Sequence, residues 1–360
     1  MKLEVNGVQY DNFTSASCEL RLDALSNSFS FQAVAAEGEA FPFKGGDECK
    51  IIVNDETVLT GFIEIIEVTY NADDHIILIS GRDRTSDLLD SSVSAINDLR
   101  APITLKEIIE KVIANIGSDL EVVDDVSTES FNPAEDVASP EPGNNAFEFI
   151  EQYSRKRQVL LTSNSDGNVV ITSGSAEQVD GSIQHIIGAI DNNVLSSSFS
   201  FDISRRFNSY VFKSELNPVA LNNAGTTENS SIVNQSGDVT DGEIRTGRQL
   251  TIESEITSSD AENAARAQWE ANVRKARSLV YSAVVTGYDV EPGADLWQIN
   301  KLYQVVDDYL GKQEPMLCNS VTFTLDTSGG EQTTLGFVDQ EAYSLVLTKP
   351  STSTTADLFV

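Results

Sequence analysis

HIILISGRDRTSDLLDSS, residues 75–92, begins as one kind of structure and finishes as another. HIILIS has the apolar, β-branched composition of a strand, Gly81 closes it, and Thr85 or Ser86 is placed to cap a short helix over DLLDSSV. Between them Arg82 and Arg84 stand among Asp83, Asp87 and Asp90. Two neighbouring arginines suit either an anion site or a structural corner. No glycine-rich phosphate nest accompanies them, so the expectation is ion pairs and hydrogen bonds to carbonyls that tie a strand unit to the next module. The residues expected to form this joint are Gly81, Arg82, Arg84, Asp87 and Asp90.

Upstream, residues 1–81 read almost entirely as strands. Asn6-Gly7 has the composition of a type I′ hairpin turn, which needs positive φ at both central positions. Leu20 and Leu22, then Phe29 and Phe31, alternate as residues on one sheet face do. Six or so short strands with tight turns imply a small barrel or sandwich.

Downstream, APITLKEIIEKVIANIG predicts the clearest helix of the chain, with Thr104 and Glu107 as a capping box and Gly117 as a left-handed stop. A second helix starts at Asn145 and ends in Arg155, Lys156 and Arg157, where cations complement the helix dipole better than they suggest an anion site. A hairpin around Asp166-Gly167 completes a compact α+β module. Strands resume from about 183, and residues 216–242 are a long polar segment rich in Asn, Ser, Thr and Gly. A third helix follows, boxed by Ser259 and Glu262, with Ala261, Ala265, Trp269 and Val273 on one stripe. Its Arg266, Arg274, Lys275 and Arg277 form the densest basic cluster, read as a solvated face or a contact with an acidic neighbour. Residues 279–347 return to strands.

The expected fold class is therefore mainly β with an α+β middle module, two similar small β-barrel domains bracketing it, and an inserted segment with a helix in the second half. The boundaries expected are 1–97 for the first barrel and its exit helix and 98–180 for the middle module. The second barrel is placed at 181–215 and 279–347, the insertion at 216–278 and a flexible tail at 348–360.

The chain has 360 residues and a formal net charge of −32. That sign opposes adhesion to phosphate backbones and anionic lipid, so neither nucleic-acid binding nor membrane binding is expected. No apolar run approaches a membrane span and no secretion signal is read at the N-terminus. Cys18, Cys49 and Cys318 are odd in number and widely spaced, which fits small buried side chains in a reducing compartment. With only His75 and His185, a histidine-rich metal centre is ruled out, and no nucleophile motif lies near either one. The Asp and Glu residues number 56, so a hydrolytic pair could always be drawn on paper and abundance carries no weight. No phosphate-binding loop, dinucleotide fingerprint or EF-hand pattern is present. No catalytic residue, cofactor or metal is expected.

Taken in succession, GD at 46–47, TGFIE at 60–64 and HIILISGRDRTSDLLDSS resemble the baseplate hub proteins of Mu-like contractile-tailed phages and prophages. TLKEIIEKVIANIG and AFEFIEQYSRKRQVLLTSNSDGNVVIT look like that family's middle module. RRFNSYVF, the Trp269 helix, TGYDVEPGADLWQINKLYQVVDD and PMLCNSVTFTLDTSGGEQTTLGFVDQEAY look like its closing barrel. Cys49 and the segment 216–242 match no family feature. The resemblance implies a structural, non-enzymatic virion protein made in the bacterial cytoplasm. It implies a homotrimer whose two barrels per chain alternate around a pseudo-sixfold ring with a central channel, joining the tail tube to the central spike. The chain's negative charge would keep passing DNA off the channel wall. A tail-associated cell-wall hydrolase and a carbohydrate-binding adhesin are the alternatives. Leu358, Phe359 and Val360 end the chain either as part of a disordered tail or as a small apolar anchor for a partner.

Overall fold

The computed structural model describes residues 1–34, 43–70, 75–132, 137–174, 177–190, 192–215, 234–253 and 260–343. The first β unit holds β1 (Lys2–Val5), β2 (Val8–Tyr10), β3 (Ser15–Arg21), β4 (Ser28–Val34), β5 (Glu48–Val53), β6 (Glu56–Tyr70) and β7 (His75–Asp83). Asn6 and Gly7 both take positive φ, 52° and 78°, as the turn between β1 and β2 requires. Leu3, Cys18, Phe31, Ile51 and Ile63 are fully buried inside this unit.

The middle module contains α1 (Ser86–Asp90), α2 (Leu105–Ile116), β8 (Val122–Asp124), α3 (Ala146–Lys156), β9 (Leu160–Ser163) and β10 (Val169–Thr172). The α2 box forms as expected: Glu107 N–H donates to Thr104 Oγ1 at 3.1 Å, Thr104 N–H donates to Glu107 Oε2 at 2.7 Å, and Gly117 sits at φ 75°. Asn145 caps α3 by accepting from Glu148 N–H at 3.0 Å. The apolar stripes of α2 and α3 close over β9 and β10 around Ile108, Ile150 and Ile171. Just past the end of α3, Arg157 donates to the Glu129 and Ser130 carbonyls at 2.9 and 3.0 Å, and its guanidinium lies 3.8 Å above the Phe131 ring centroid.

The second β unit holds β11 (Gln178–His185) and β12 (Val194–Phe201). A small αβ unit then follows, made of β13 (Ser209–Glu215), β14 (Asn234–Thr240), β15 (Gln249–Glu253) and α4 (Asp260–Arg277). The second β unit is completed by β16 (Leu279–Thr286), β17 (Leu302–Asp307), β18 (Lys312–Asp326) and β19 (Gly330–Val338). Here the structure departs from the sequence reading. Residues 209–215 were expected in the second barrel, but β13 pairs with β14 and β15. The reason is packing: Tyr210 and Phe212 bury against Ala267 and Ala271 of α4. The second unit also starts earlier than 181, because Gln178 pairs with Leu302. Helix α4 is buried on two faces, with Trp269, Val273 and Ala276 turned to Leu22, Leu317 and Tyr343. Ala261 of the expected stripe is exposed, and Ser259 of the expected cap lies outside the described residues, as does most of 216–242.

Close approach of α4 to its sheet depends on Gly237 in β14. A Cβ there would lie 2.0 Å from Ala264 N and 2.3 Å from Asn263 C, both backbone atoms that cannot swing aside. Gly237→Ala is expected to destabilise by about 1–3 kcal/mol. Hydrogen exchange would show it, with faster exchange in α4 and unchanged protection in β18 and β19.

The two β units repeat one strand order. In the first it runs β3-β4-β7-β6-β5, in the second β12-β16-β19-β18-β17, and every neighbouring pair in both is antiparallel. Strands β6 and β18 are each 15 residues long, and each carries a bulge, between Ile63 and Ile65 in one and between Cys318 and Ser320 in the other. The halves are joined edge to edge into one sheet, since the second half of β18 pairs with β3 from Ser320↔Arg21 to Asp326↔Ser15. The β5–β6 turn strengthens this seam: Val53 is buried in the second unit's core, and Asn54 Nδ2 donates to Asp289 Oδ1 at 2.5 Å.

Candidate functional site

The corner at residues 81–90 is built from alternation in β7. Ile77, Ile79, Gly81 and Asp83 share the inward face of the strand. Gly81 is required there because a Cβ would sit 2.0 Å from the Phe62 carbonyl oxygen and 2.8 Å from Phe29 Cζ. Arg82 points outward and grips Glu64 with two bonds, Nε to Oε2 at 2.8 Å and Nη2 to Oε1 at 2.7 Å. It also reaches Asp90 on α1, with Nη1 to Oδ1 at 3.3 Å. Arg84 pairs with Asp119 in the middle module. Asp87 is exposed on α1; partial desolvation pushes its carboxyl up, and the charge of Arg84 partly opposes this.

Asp83, which the sequence reading placed only among the flanking charges, is the buried centre of the corner, with no exposed surface. Its carboxylate accepts from Ser26 Oγ at 2.9 Å, Asn27 N–H at 2.8 Å and Thr85 N–H at 3.2 Å, and from Ser163 Oγ. The Thr85 hydroxyl lies 2.6 Å from Asp83 Oδ1 and 2.9 Å from the Leu25 carbonyl. Thr85 therefore occupies the position before α1 without its side chain capping the helix. Ser163 belongs to β9 and Ser26 and Asn27 to the β3–β4 turn, so one carboxylate gathers the first unit, the exit and the middle module. Burial drives its pKa up, outweighing the donors that hold it down. The parity of β7 was the signal that could have revealed it.

The α4 cations find acidic and aromatic neighbours inside the chain. Arg274 pairs with Glu270 at 2.6 Å, Lys275 with Glu243 at 2.9 Å and Arg277 with Asp23 at 3.3 Å, while the Arg266 guanidinium lies 5.5 Å from the Phe212 ring. A cleft of about 710 Å³ opens between α3, α4 and residues 23–26. Of its four carboxylates, Asp23, Glu151 and Glu270 each lie within 4 Å of an arginine, and Asp202 accepts from Ser204 N–H at 2.7 Å. The cleft is thus lined largely by charge pairs internal to the chain. The three cysteines are buried and unpaired; burial raises their thiols, that of Cys49 to about 12, so they are core side chains and poor nucleophiles.

Two strands each carry several exposed apolar side chains. Strand β12 is an end of the large sheet, with Leu195 at 56% exposure, Phe199 at 38% and Phe201 at 60%. The outer half of β6 exposes Ile65 at 51% and Val68 at 48%. Among the described residues β5 pairs with β6 only as far as Phe62, and no described strand pairs with the other edge of Ile65–Val68.

Comparison with known proteins follows the same divisions. Residues 1–83 match the N-terminal domain of the Mu phage baseplate assembly protein GpP-like family. Residues 85–173 match the second domain of the baseplate hub protein gp44-like family, and 259–346 match the fourth domain of Mu phage baseplate assembly protein GpP. The first boundary falls within the corner just described. The chain is 26% identical over 347 residues to baseplate hub protein gp44 of Escherichia phage Mu, spanning 95% of this chain and 88% of that one. Among solved structures it is similar to the 43 kDa tail protein of prophage MuSo2 from Shewanella oneidensis, with 28% identity, TM-score 0.79 and coverage of 95% and 99%. A tail protein from Neisseria meningitidis MC58 shares the fold at 18% identity and TM-score 0.78, covering 95% and 96%. So does an Escherichia coli type VI secretion component, at 11% identity and TM-score 0.58, covering 97% and 80%.

Proposed function

The chain belongs to the baseplate hub proteins of Mu-like phages and prophages, and from that premise we propose that three copies close a pseudo-sixfold ring joining the tail tube to the central spike, with a channel along its axis. The observation that carries this reading is the repeated strand order of the two β units. Two copies of one architecture per chain give a trimer six equivalent faces toward a sixfold tube, while its true symmetry stays threefold for a spike. Gly81, Arg82, Arg84, Asp87 and Asp90, centred on Asp83, serve as the joint that fixes the middle module against the ring. The chain acts by binding and geometry in the tail baseplate and performs no covalent chemistry. A formal charge of −32 favours a channel wall to which DNA does not adhere. Leu358, Phe359 and Val360, proposed as a partner anchor, lie outside the described residues.

Light scattering on the purified chain tests the ring: the expected mass is three times the 39.1 kDa of one chain. Co-elution with the spike tests the attachment. A chain that stays at 39.1 kDa both alone and with the spike rejects the ring. Clearing of a peptidoglycan suspension would favour the hydrolase alternative, and retention on a glycan array the adhesin.

A further inference from the structure

The seam inside the chain predicts the seam between chains. By the shared strand order β12 is the counterpart of β3, and β6 the counterpart of β18. Strand β3 pairs with the second half of β18 within the chain, whereas among the described residues no strand pairs with the outer edge of β12 or with that of Ile65–Val68 in β6. We propose that the outer half of β6 in one copy pairs antiparallel with β12 of a second copy, repeating between chains the β3–β18 junction found within one. This rests on the reading of the chain as a ring-forming hub and names the contact that closes the ring.

The register can be derived. Counting from the two bulges, Ile66 and Val68 stand where Val321 and Phe323 stand, because Ile66 faces Ile79 across the ladder as Val321 faces Leu335. On the neighbouring strands Phe31 faces Ile79 and Ala283 faces Leu335, while Phe29 faces Gly81 and Tyr281 faces Phe337. In turn Cys18 faces Phe29 and Phe199 faces Tyr281. Phe199 is thereby the counterpart of Cys18, and Phe201 of Leu20. Within the chain Cys18 pairs with Phe323 and Leu20 with Val321, so between chains Phe199 pairs with Val68 and Phe201 with Ile66.

Burial agrees with this pairing. Residues directly opposite on an antiparallel ladder share a face. Phe199 shares its face with Tyr281, which is fully buried, and Val68 shares its face with Ile77, which is 8% exposed. Both are core-facing side chains left uncovered, at 38% and 48% exposure, where no described strand continues the sheet beside them. Cys18 and Phe323, their counterparts at the internal seam, are at 0%. A second copy would continue both core layers and satisfy the open backbone edges. Because β12 meets a different strand, the contact is heterologous and closes by rotation into a ring.

Phe199→Glu and Val68→Glu, made separately, test the seam by light scattering, with circular dichroism melts confirming that each variant remains folded. Both positions are exposed in the single chain, so the fold is expected to survive. A trimeric wild type with each variant falling threefold in mass, and with Phe199→Glu plus Val68→Lys in one chain restoring the trimer, supports the pairing. Either glutamate variant holding trimer mass beside a trimeric wild type overturns the seam and leaves the ring standing. Either variant that keeps the trimer but no longer binds the spike also overturns it, assigning the patch to that partner. A wild type that is monomeric with and without the spike overturns ring and seam together.

Discussion

Asp83→Ala is expected to lower the unfolding free energy by about 3–5 kcal/mol, the range for breaking a buried, fully engaged charged group. The substitution leaves the donors of Ser26, Asn27, Thr85 and Ser163 facing a small void from which the carboxylate has been withdrawn. Each buried donor without a partner forfeits its share of solvation, and the joint has no exposed surface at this point through which water could replace the lost acceptor. Arg82→Ala is expected to cost less than about 1 kcal/mol, because its partners Glu64 and Asp90 are 31% and 61% exposed and water competes for every bond. Urea unfolding of the two variants measures the difference, and the opposite ranking would return the joint to the arginines. The pH dependence has a defined sign. Folding raises the Asp83 pKa, so its contribution is greatest on the acid side of the ordinary aspartate value and declines as pH rises through the raised one. Asp83→Asn should remove that slope.

This ranking also marks what a linear reading can and cannot reach. Local codes were legible: Asn6-Gly7, the Thr104–Glu107 box, Gly117 and the Asn145 cap all act within a few residues of themselves. The strand-to-helix corner was legible for the same reason. Asp83 was obscured by its neighbours, since two arginines draw attention while a carboxylate on the inward parity of β7 reads as one more surface acid. Pairing between distant strands was not legible. Nothing in SASCELR or in SVTFTLD states that they meet across some 300 residues of chain, because alternation specifies a face and leaves the partner strand undetermined. SYVFKSE alternates as well as any barrel strand does, and only the aromatic layer beneath α4 assigns it to the small sheet. VLSSSFSF looked like one more barrel strand for the same reason; its exposure becomes visible only when the sheet is seen to end there.

Arg206→Met is expected to destabilise the chain by about 3–5 kcal/mol, since it deletes one partner of a buried ion pair and strands the other. Arg206 is 2% exposed and donates to Asp241 Oδ2 through Nε at 3.0 Å and through Nη2 at 2.7 Å, with Nη2 also 2.7 Å from Glu243 Oε2. The Asp241 side chain is only 10% exposed, so without the guanidinium its charge remains largely out of water. Adding Asp241→Asn to Arg206→Met should recover most of the loss, because the cost lies in the orphaned charge more than in the absent attraction. Glu243 contributes differently. Hydrogen bonds from Arg206 and Lys275 hold its carboxyl down to about 2, so its contribution is present above the ordinary glutamate value and disappears as pH falls toward about 2. At 59% exposure that contribution is under about 1 kcal/mol, and acid should soften this unit only slightly before the rest of the chain yields. The position of Arg206 gives the variant a second consequence. Its Nη1 lies 3.5 Å from Ser278 Oγ, and the Ser278 carbonyl accepts from Asp202 N–H at 2.7 Å just beyond Phe201, at the end of β12. Loss of the cluster frees the end of the strand proposed to receive a second copy, so Arg206→Met should weaken the trimer as well as the fold, and the Asp241→Asn addition should restore both in light scattering and melting.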